Sequence, residues 1–245
     1  MNGVFARGLI LAALAFSVGG CVDENTQGIV VKRALLFDTT CKPDLAGTGA
    51  LASGAFDLQT ERYVISLEVQ SNIVAIFDQD GRKIEGKRLF VYKGVDVSLS
   101  SSNETFKTID AKHRSYIVPG FGTIEPTTGV GASESKLAAT ISLLPPELVN
   151  DNTFRQLAAQ PGGFRMFADM QVFGSVDSDS ISANTVRFAI DVCDGCLLKV
   201  LGTCDQFKSD FAFSGSECFP GQDQVTQCCM SPANTPICPG MGSMM

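Results

Sequence analysis

Cys193-Asp194-Gly195-Cys196 is the stretch of this chain whose residue types and spacing could most directly do chemistry. Two cysteines three apart can cycle between dithiol and disulfide when a helix N-terminus lowers the pKa of one thiol. Here the β-branched run Thr185–Val192 leads into the pair and Leu197-Leu198 follows, without a helix signal, so a structural bridge, or two halves of different bridges, is the favoured reading. His113, the only histidine, could serve as a general base beside a serine and an acid. No Gly-x-Ser-x-Gly turn accompanies it, and Lys112-His113-Arg114 reads as a solvated segment. Zinc would need a second cysteine pair at finger spacing, which the sequence lacks. Asp78-x-Asp80-Gly81 and Asp177-x-Asp179 have no later bidentate acid and read as turns rather than calcium loops. Gly47-x-Gly49 has no helix pattern behind it, so no phosphate or dinucleotide loop is indicated. No catalytic residue, no metal ligand and no cofactor is assigned on these grounds.

A ninth thiol has a different context. Arg7 precedes the apolar run Gly8–Ser17, and Val18-Gly19-Gly20 leads directly into Cys21. The run is too short for a stable transmembrane helix and has the length and flanks of a secretory signal. Val18–Cys21 resembles the lipobox of bacterial lipoproteins. That resemblance implies diacylglycerol on the Cys21 thiol, cleavage before it and acylation of the new amine. Each buried methylene of such chains contributes about 0.8 kcal/mol to membrane binding. The expectation is therefore a signal peptide over residues 1–20, lipidation at Cys21 and a short polar tether over 21–28. Outer membrane is the default destination.

Removing 20 of 245 residues leaves 225, and losing Arg7 leaves 18 basic against 26 acidic residues. An acidic chain with no Lys/Arg cluster beyond Lys32-Arg33 and Lys87-Arg88 argues against a nucleic-acid surface and against a second electrostatic hold on anionic lipid. With no Trp and 3 Tyr, no aromatic sugar platform is expected, and the 17 Phe read as core. With Cys21 carrying lipid, eight cysteines remain: Cys41, Cys193, Cys196, Cys204, Cys218, Cys228, Cys229 and Cys238. An even number outside the cytoplasm predicts up to four disulfides, with 105 possible pairings. Seven of them lie between Cys193 and Cys238, so if all are bonded at least one must reach Cys41.

These residues need a scaffold, and the periodicity supplies one. Ile29–Phe37 is a β-branched run, and Pro43–Gly54 reads as a loop. Tyr63–Val69 alternates, with Val64, Ser66 and Glu68 on one face and Tyr63, Ile65, Leu67 and Val69 on the other. Ile73–Phe77 and Arg82–Ile84 flank a Gly81 turn as a hairpin. Arg88–Leu99, Phe106–Val118, Phe164–Val176 and Thr185–Val192 read as strands, Leu197–Leu201 as a short last one and Lys136–Leu144 as ambiguous. Phe121–Ser135 reads as a long loop. Pro145-Pro146 opens one helix running to about Ala159. Short strands without βαβ alternation predict an all-β, antiparallel immunoglobulin-like sandwich over residues 29–202, with one short helix. A Cys-rich tail over 203–245 follows, its end from Pro239 frayed. It is poor in core-forming residues and depends on cross-links for order. No internal repeat is evident.

Cys193-Asp194-Gly195-Cys196-Leu197, Cys204, Cys218-Phe219-Pro220-Gly221-Gln222-Asp223 and Cys228-Cys229, behind a lipobox, resemble uncharacterised Cys-rich envelope lipoproteins of myxobacterial type. The resemblance covers about a third of the chain and implies location and a stapled β domain, but no activity. The expected function is a lipid-anchored, extracytoplasmic, non-enzymatic structural or binding module of the bacterial envelope, with the membrane and envelope proteins as partners. The alternatives are a thiol-redox enzyme through Cys193/Cys196, a hydrolase using His113, or a metal-binding Cys-rich module.

Overall fold

The structure, a computed structural model, describes residues 28–60, 62–128, 135–207, 214–216, 218–233 and 236–238. The expected signal segment, Cys21 and nearly all of the expected tether therefore lie outside the described residues, as do 129–134 of the expected long loop and the 239–245 end.

The fold is all-β, two sheets packed face to face with a disulfide-linked Cys-rich extension. The smaller sheet is antiparallel, with β3 (Val64–Ser71) between β1 (Ile29–Ala34) and β6 (Lys136–Ser142). The larger holds β2 (Ser53–Asp57), β4 (Phe90–Ser100), β5 (Ser115–Ile124), β7 (Phe164–Val176) and β8 (Asp179–Cys193) in the order β2-β8-β7-β4-β5. Alternation decides which residues meet. Ile65, Leu67 and Val69 of β3 share one core with Val95, Val97 and Leu99 of β4, Met166, Met170 and Val172 of β7 and Phe188 and Ile190 of β8. Each such fully buried side chain contributes about 1.5–3 kcal/mol.

The expected outward face of β3 is also buried. Ser66, Glu68 and Gln70 lie under the 36–51 connection, whose Gly47 and Gly49 carbonyls accept from Arg33, and Gln222 of the tail caps Val64. Alternation set the two faces correctly, but a polar face can be covered when long loops fold back on it.

Four local expectations are corrected. Residues 106–114 are not strand: Thr105–Thr108 is a 3₁₀ turn, and α1 (Ala111–Arg114) follows. Asn103 accepts from the Thr105 amide and Asp110 from the Lys112 amide, and this capping favours helical turns. Strand β5 then passes through Pro119-Gly120, where the chain was expected to turn. Pro119 is tolerated because β5 is an edge strand and Pro119 pairs Gly94 at a bulge in β4. The single helix is two, α2 (Pro146–Val149) and α3 (Asn152–Ala158), because Asp151 leaves the helix to cap Thr153 and Phe154.

Finally, Ser53–Asp57, at the end of the expected loop, is a strand, and it runs parallel to β8, from Ser53 opposite Ala189 to Asp57 opposite Cys193. The sandwich is thus not purely antiparallel. A chain segment can join an edge in either sense when the connection is long, and β2 lies more than 120 residues from its partner.

The tail builds its own sheet, β11-β10-β9. Here β9 (Leu198–Thr203) pairs in parallel with β10 (Thr226–Met230), and β10 pairs with β11 (Pro236–Ile237). The tail also covers the open edge of β2: Asp57 N donates to the Gly221 carbonyl, and Asp223 N to the Ala55 carbonyl. Covering an edge in this way removes a template for aggregation.

The expected hairpin at 73–84 is present. Phe77 bridges Lys83, Ile84 N donates to the Ile76 carbonyl, and the Asp78 carboxylate accepts from the Asp80 and Arg82 amides. Both acids at 78 and 80 therefore sit in a turn, and Asp78 is satisfied by backbone.

Candidate functional site

The Cys-x-x-Cys pair is a disulfide, closed at the point where β8 ends and β9 has yet to begin. Cys193 is buried and Cys196 is exposed. No helix starts at either cysteine; a strand enters and a strand leaves. Gly195 takes φ +75°, which lets the four-residue ring turn.

What holds the ring is Asp57, which is fully buried. One carboxylate oxygen accepts from the Gln59 and Gly195 amides at 3.0 and 2.8 Å. The other accepts from the Leu197 and Leu198 amides at 2.8 and 3.0 Å. Four backbone donors solvate a charge that burial would otherwise make very costly. Asp57, Cys193 and Cys196 place one candidate ligand atom each within 4.8 Å of one another. In the oxidised protein, though, the two sulfurs are bonded together and the oxygens are filled. The only local signal of Asp57 in the sequence is its hydrogen bond to the amide two residues on, a common turn device.

The remaining six cysteines also pair: Cys41–Cys218, Cys204–Cys229 and Cys228–Cys238. Cys41 does reach into the tail, across 177 residues of sequence. Phe37 and Phe219 stack edge-on beside that bridge, with centroids 4.8 Å apart, and a cleft of about 500 Å³ opens next to it. Four disulfides suggest an oxidising, extracytoplasmic environment. Among the described residues no helix is long and apolar enough to cross a membrane.

Two side-chain amides dock the small sheet to the rest of the molecule. Asn184 of β8 exchanges both hydrogen bonds with the backbone of Val31, at 2.8 and 3.2 Å. Gln222 of the tail does the same with Val64, at 2.9 and 2.6 Å. Each amide stands in for a neighbouring strand, which no local pattern announces. Tyr63, fully buried, donates to Asp223 at 2.9 Å; burial, and then the Asp223 charge, push its hydroxyl far above the ordinary tyrosine range.

His113 does not enter a relay. Its side chain is half-buried rather than solvated, and its Nδ1 is enclosed without a hydrogen-bond partner among the described residues. Among the described residues no serine or carboxylate hydrogen-bonds to it. Asp177 sits at the β7–β8 turn with φ +52° and accepts from the Arg88 amide, again as turn chemistry.

On the small sheet, Glu68 receives Arg33 at 2.5 Å and Lys136 at 2.9 Å. Burial raises its pKa, but the hydrogen bonds from Lys136 and Arg33 outweigh that and hold the carboxyl below its ordinary value.

The register of β3 separates two ends of the sandwich. At one end Ile29 pairs Ser71, and the Gly28 carbonyl accepts from Asn72, so the described chain begins there. At the other, Val64 pairs Ser142. Eight residues of strand put these ends about 23 Å apart. The second end holds a cleft of about 410 Å³ whose apolar floor includes Leu58, Leu144 and Val149 and whose rim includes Gln59, Thr60, Arg62, Asn150 and Arg155. Arg62 forms no ion pair among the described residues, and Arg155 reaches only the Val149 carbonyl, at 3.5 Å. Gln59 joins this cleft to the disulfide ring, since its Nε2 would lie 3.0 Å from a Cβ placed on Gly195. Two arginines lining one cleft suit the binding of an anionic group. Sequence reasoning missed Arg62 and Arg155, because isolated arginines in polar segments have no distinguishing pattern.

No protein-family profile matches the chain, and no characterised protein is significantly similar to it.

Proposed function

We propose that this protein is a lipid-anchored, extracytoplasmic, non-enzymatic binding module of the bacterial cell envelope. The observation that carries the reading is the opposition of the two ends: the tether enters beside Ser71, and the two-arginine cleft opens at the other end of β3. A chain acylated at Cys21 would then hold its cleft away from the bilayer, toward envelope partners. Other support comes from the residues around Cys21 and from the cystine-stapled body, which suits an oxidising compartment. The Cys193–Cys196 ring and Asp57 act as a structural joint between β8 and the tail in this reading.

The test is the intact mass of detergent-extracted protein, alkylated before and after reduction. The expected result is a lipid-sized increment on a chain starting at Cys21, with no alkylation before reduction and eight alkylated cysteines after it. An unacylated chain starting elsewhere overturns the anchoring. For the binding half, a photo-crosslinker at Thr60 should capture an envelope protein, and Arg62→Glu with Arg155→Glu should abolish the capture.

A further inference from the structure

The tether end carries a second feature that the binding reading does not use. The 73–84 hairpin leaves four large apolar side chains in water: Val74, Ile76, Phe77 and Ile84 are 51%, 43%, 43% and 38% exposed. Ile73 and Ala75 alternate with Val74 and Ile76 and are buried, so the hairpin is anchored to the body. Because Phe77 bridges Lys83, Ile76 lies directly across from Ile84 and shares its face, with Val74 two residues along. Soluble surfaces scatter single apolar residues, whereas a contiguous group marks an interface.

The same segment, residues 72–88, holds Arg82, Lys83, Lys87 and Arg88 against Asp78, Asp80 and Glu85, a net +1 in a chain of net −7. Lys83 pairs with Glu125, and Arg88 donates to the Val74 carbonyl. The hairpin lies where the tether arrives: Asn72 N donates to the Gly28 carbonyl, and a Cβ on Gly28 would stand 3.1 Å from Ile73. From Cys21 to Gly28 is seven residues, a reach of at most about 25 Å. A lipid on Cys21 therefore keeps this end of the sandwich at the bilayer.

We propose that the 73–84 hairpin is a bilayer-docking element. Its Val74, Ile76 and Ile84 face, with Phe77 exposed at the turn beside it, seats among the lipid headgroups of the membrane that holds Cys21, and Arg82, Lys87 and Arg88 meet lipid phosphates. The overall acidity of the chain opposes a broad electrostatic hold, so this hold is apolar with local cations around it. It fixes the orientation of the domain, which a lipid on a seven-residue tether alone leaves free. The proposal rests on the lipid-anchored reading, and its test separates the two.

The chain has no tryptophan, so Ile76→Trp creates a single fluorescent reporter, and Val225→Trp, at an exposed site on the tail, supplies a control. Each full-length protein is extracted and reconstituted into phosphatidylethanolamine/phosphatidylglycerol vesicles, with and without brominated acyl chains. The mass of the N-terminus is read on the same sample. The expected result is that bromine quenches Ile76→Trp more than Val225→Trp, by about twofold or more, with a blue-shifted emission. Equal quenching of both overturns the docking. Acylated protein with equal quenching keeps the anchor and removes the docking; unacylated protein with selective quenching does the reverse; unacylated protein with equal quenching removes both.

Discussion

Cys41 occupies, in the turn after β1, the position that Gly81 occupies in the 73–84 hairpin. Both are left-handed, φ +61° and +74°. Asp38 N donates to the Lys42 carbonyl as Asp78 N does to Arg82, and each aspartate accepts from the amides two and four residues on. Phe37-Asp38 and Phe77-Asp78 thus begin two copies of one turn. One copy keeps the glycine that the conformation favours; the other places a cysteine there and bridges it to Cys218. A non-glycine residue in that conformation costs about 1 kcal/mol, which the bridge offsets.

This sets up a comparison of two bridge-free proteins. Cys41→Ser with Cys218→Ser should lose up to about 5 kcal/mol, the chain-entropy value for so long a loop. Cys41→Gly with Cys218→Ser should recover about 1 kcal/mol of that, because glycine relieves the left-handed position. Urea denaturation of both checks it; equal midpoints would show that the turn relaxes once the bridge is gone.

Asp57 should be among the most sensitive polar positions. Asp57→Ala strands the amides of Gln59, Gly195, Leu197 and Leu198 without acceptors, and a loss of about 3 kcal/mol or more is expected. Asp57→Asn keeps one acceptor oxygen and turns an amide group toward two donors, so it should fall between wild type and alanine. Thermal melts of the three proteins rank them, and hydrogen exchange at Leu197 and Leu198 should rise first.

Acid should destabilise the fold through a small set of carboxylates. In Glu68, burial opposes the charge but Lys136 and Arg33 prevail; in Asp169 and Asp191, bidentate hydrogen bonds from Arg187 and Arg165 lower the pKa. A carboxylate whose folded pKa lies below its unfolded value contributes stability above the unfolded pKa and loses it as pH falls through the folded one. Stability should therefore be flat above about pH 5 and fall from there downward. Glu68→Gln should cost about 2 kcal/mol at neutral pH by leaving Arg33 and Lys136 without their carboxylate, and should make the acid limb shallower. The Asp169 and Asp191 pairs lie on the open face of the large sheet, and each should be worth less than about 1 kcal/mol. Denaturant midpoints at a series of pH values measure all three.

Accessibility orders the disulfides. Cys41 and Cys196 are exposed, whereas Cys228 and Cys238 are buried at 0% and 4%. Thiol exchange needs the reductant to reach a sulfur, so Cys41–Cys218 and Cys193–Cys196 should open under mild reductant while Cys228–Cys238 persists. Timed alkylation with peptide mass mapping reads the order. Early labelling of Cys228 would mean that the tail sheet opens on its own.

The sequence by itself determined a good deal. Alternation in Val64–Val69 separated the two faces of β3, and Phe164–Val176 was legible as a strand, because a period of two is a local property of the extended chain. Gly81 after Asp78 decided a turn for the same reason. With Cys21 set aside and the other eight cysteines all bonded, parity requires a bond from the tail to Cys41. What tertiary structure decided is which distant groups meet. Ser53–Asp57, read as the edge of a loop, is a strand because β8 and Gly221–Asp223 supply its hydrogen bonds, from more than 120 residues away. Cys41 chose Cys218 among seven tail cysteines, Asp57 found the 195–198 amides, and Asn184 and Gln222 docked the small sheet. Each of these pairings is fixed by a hydrogen bond or covalent bond across 138 or more residues. Such contacts depend on the packed position of both partners, which no window of neighbouring residues contains.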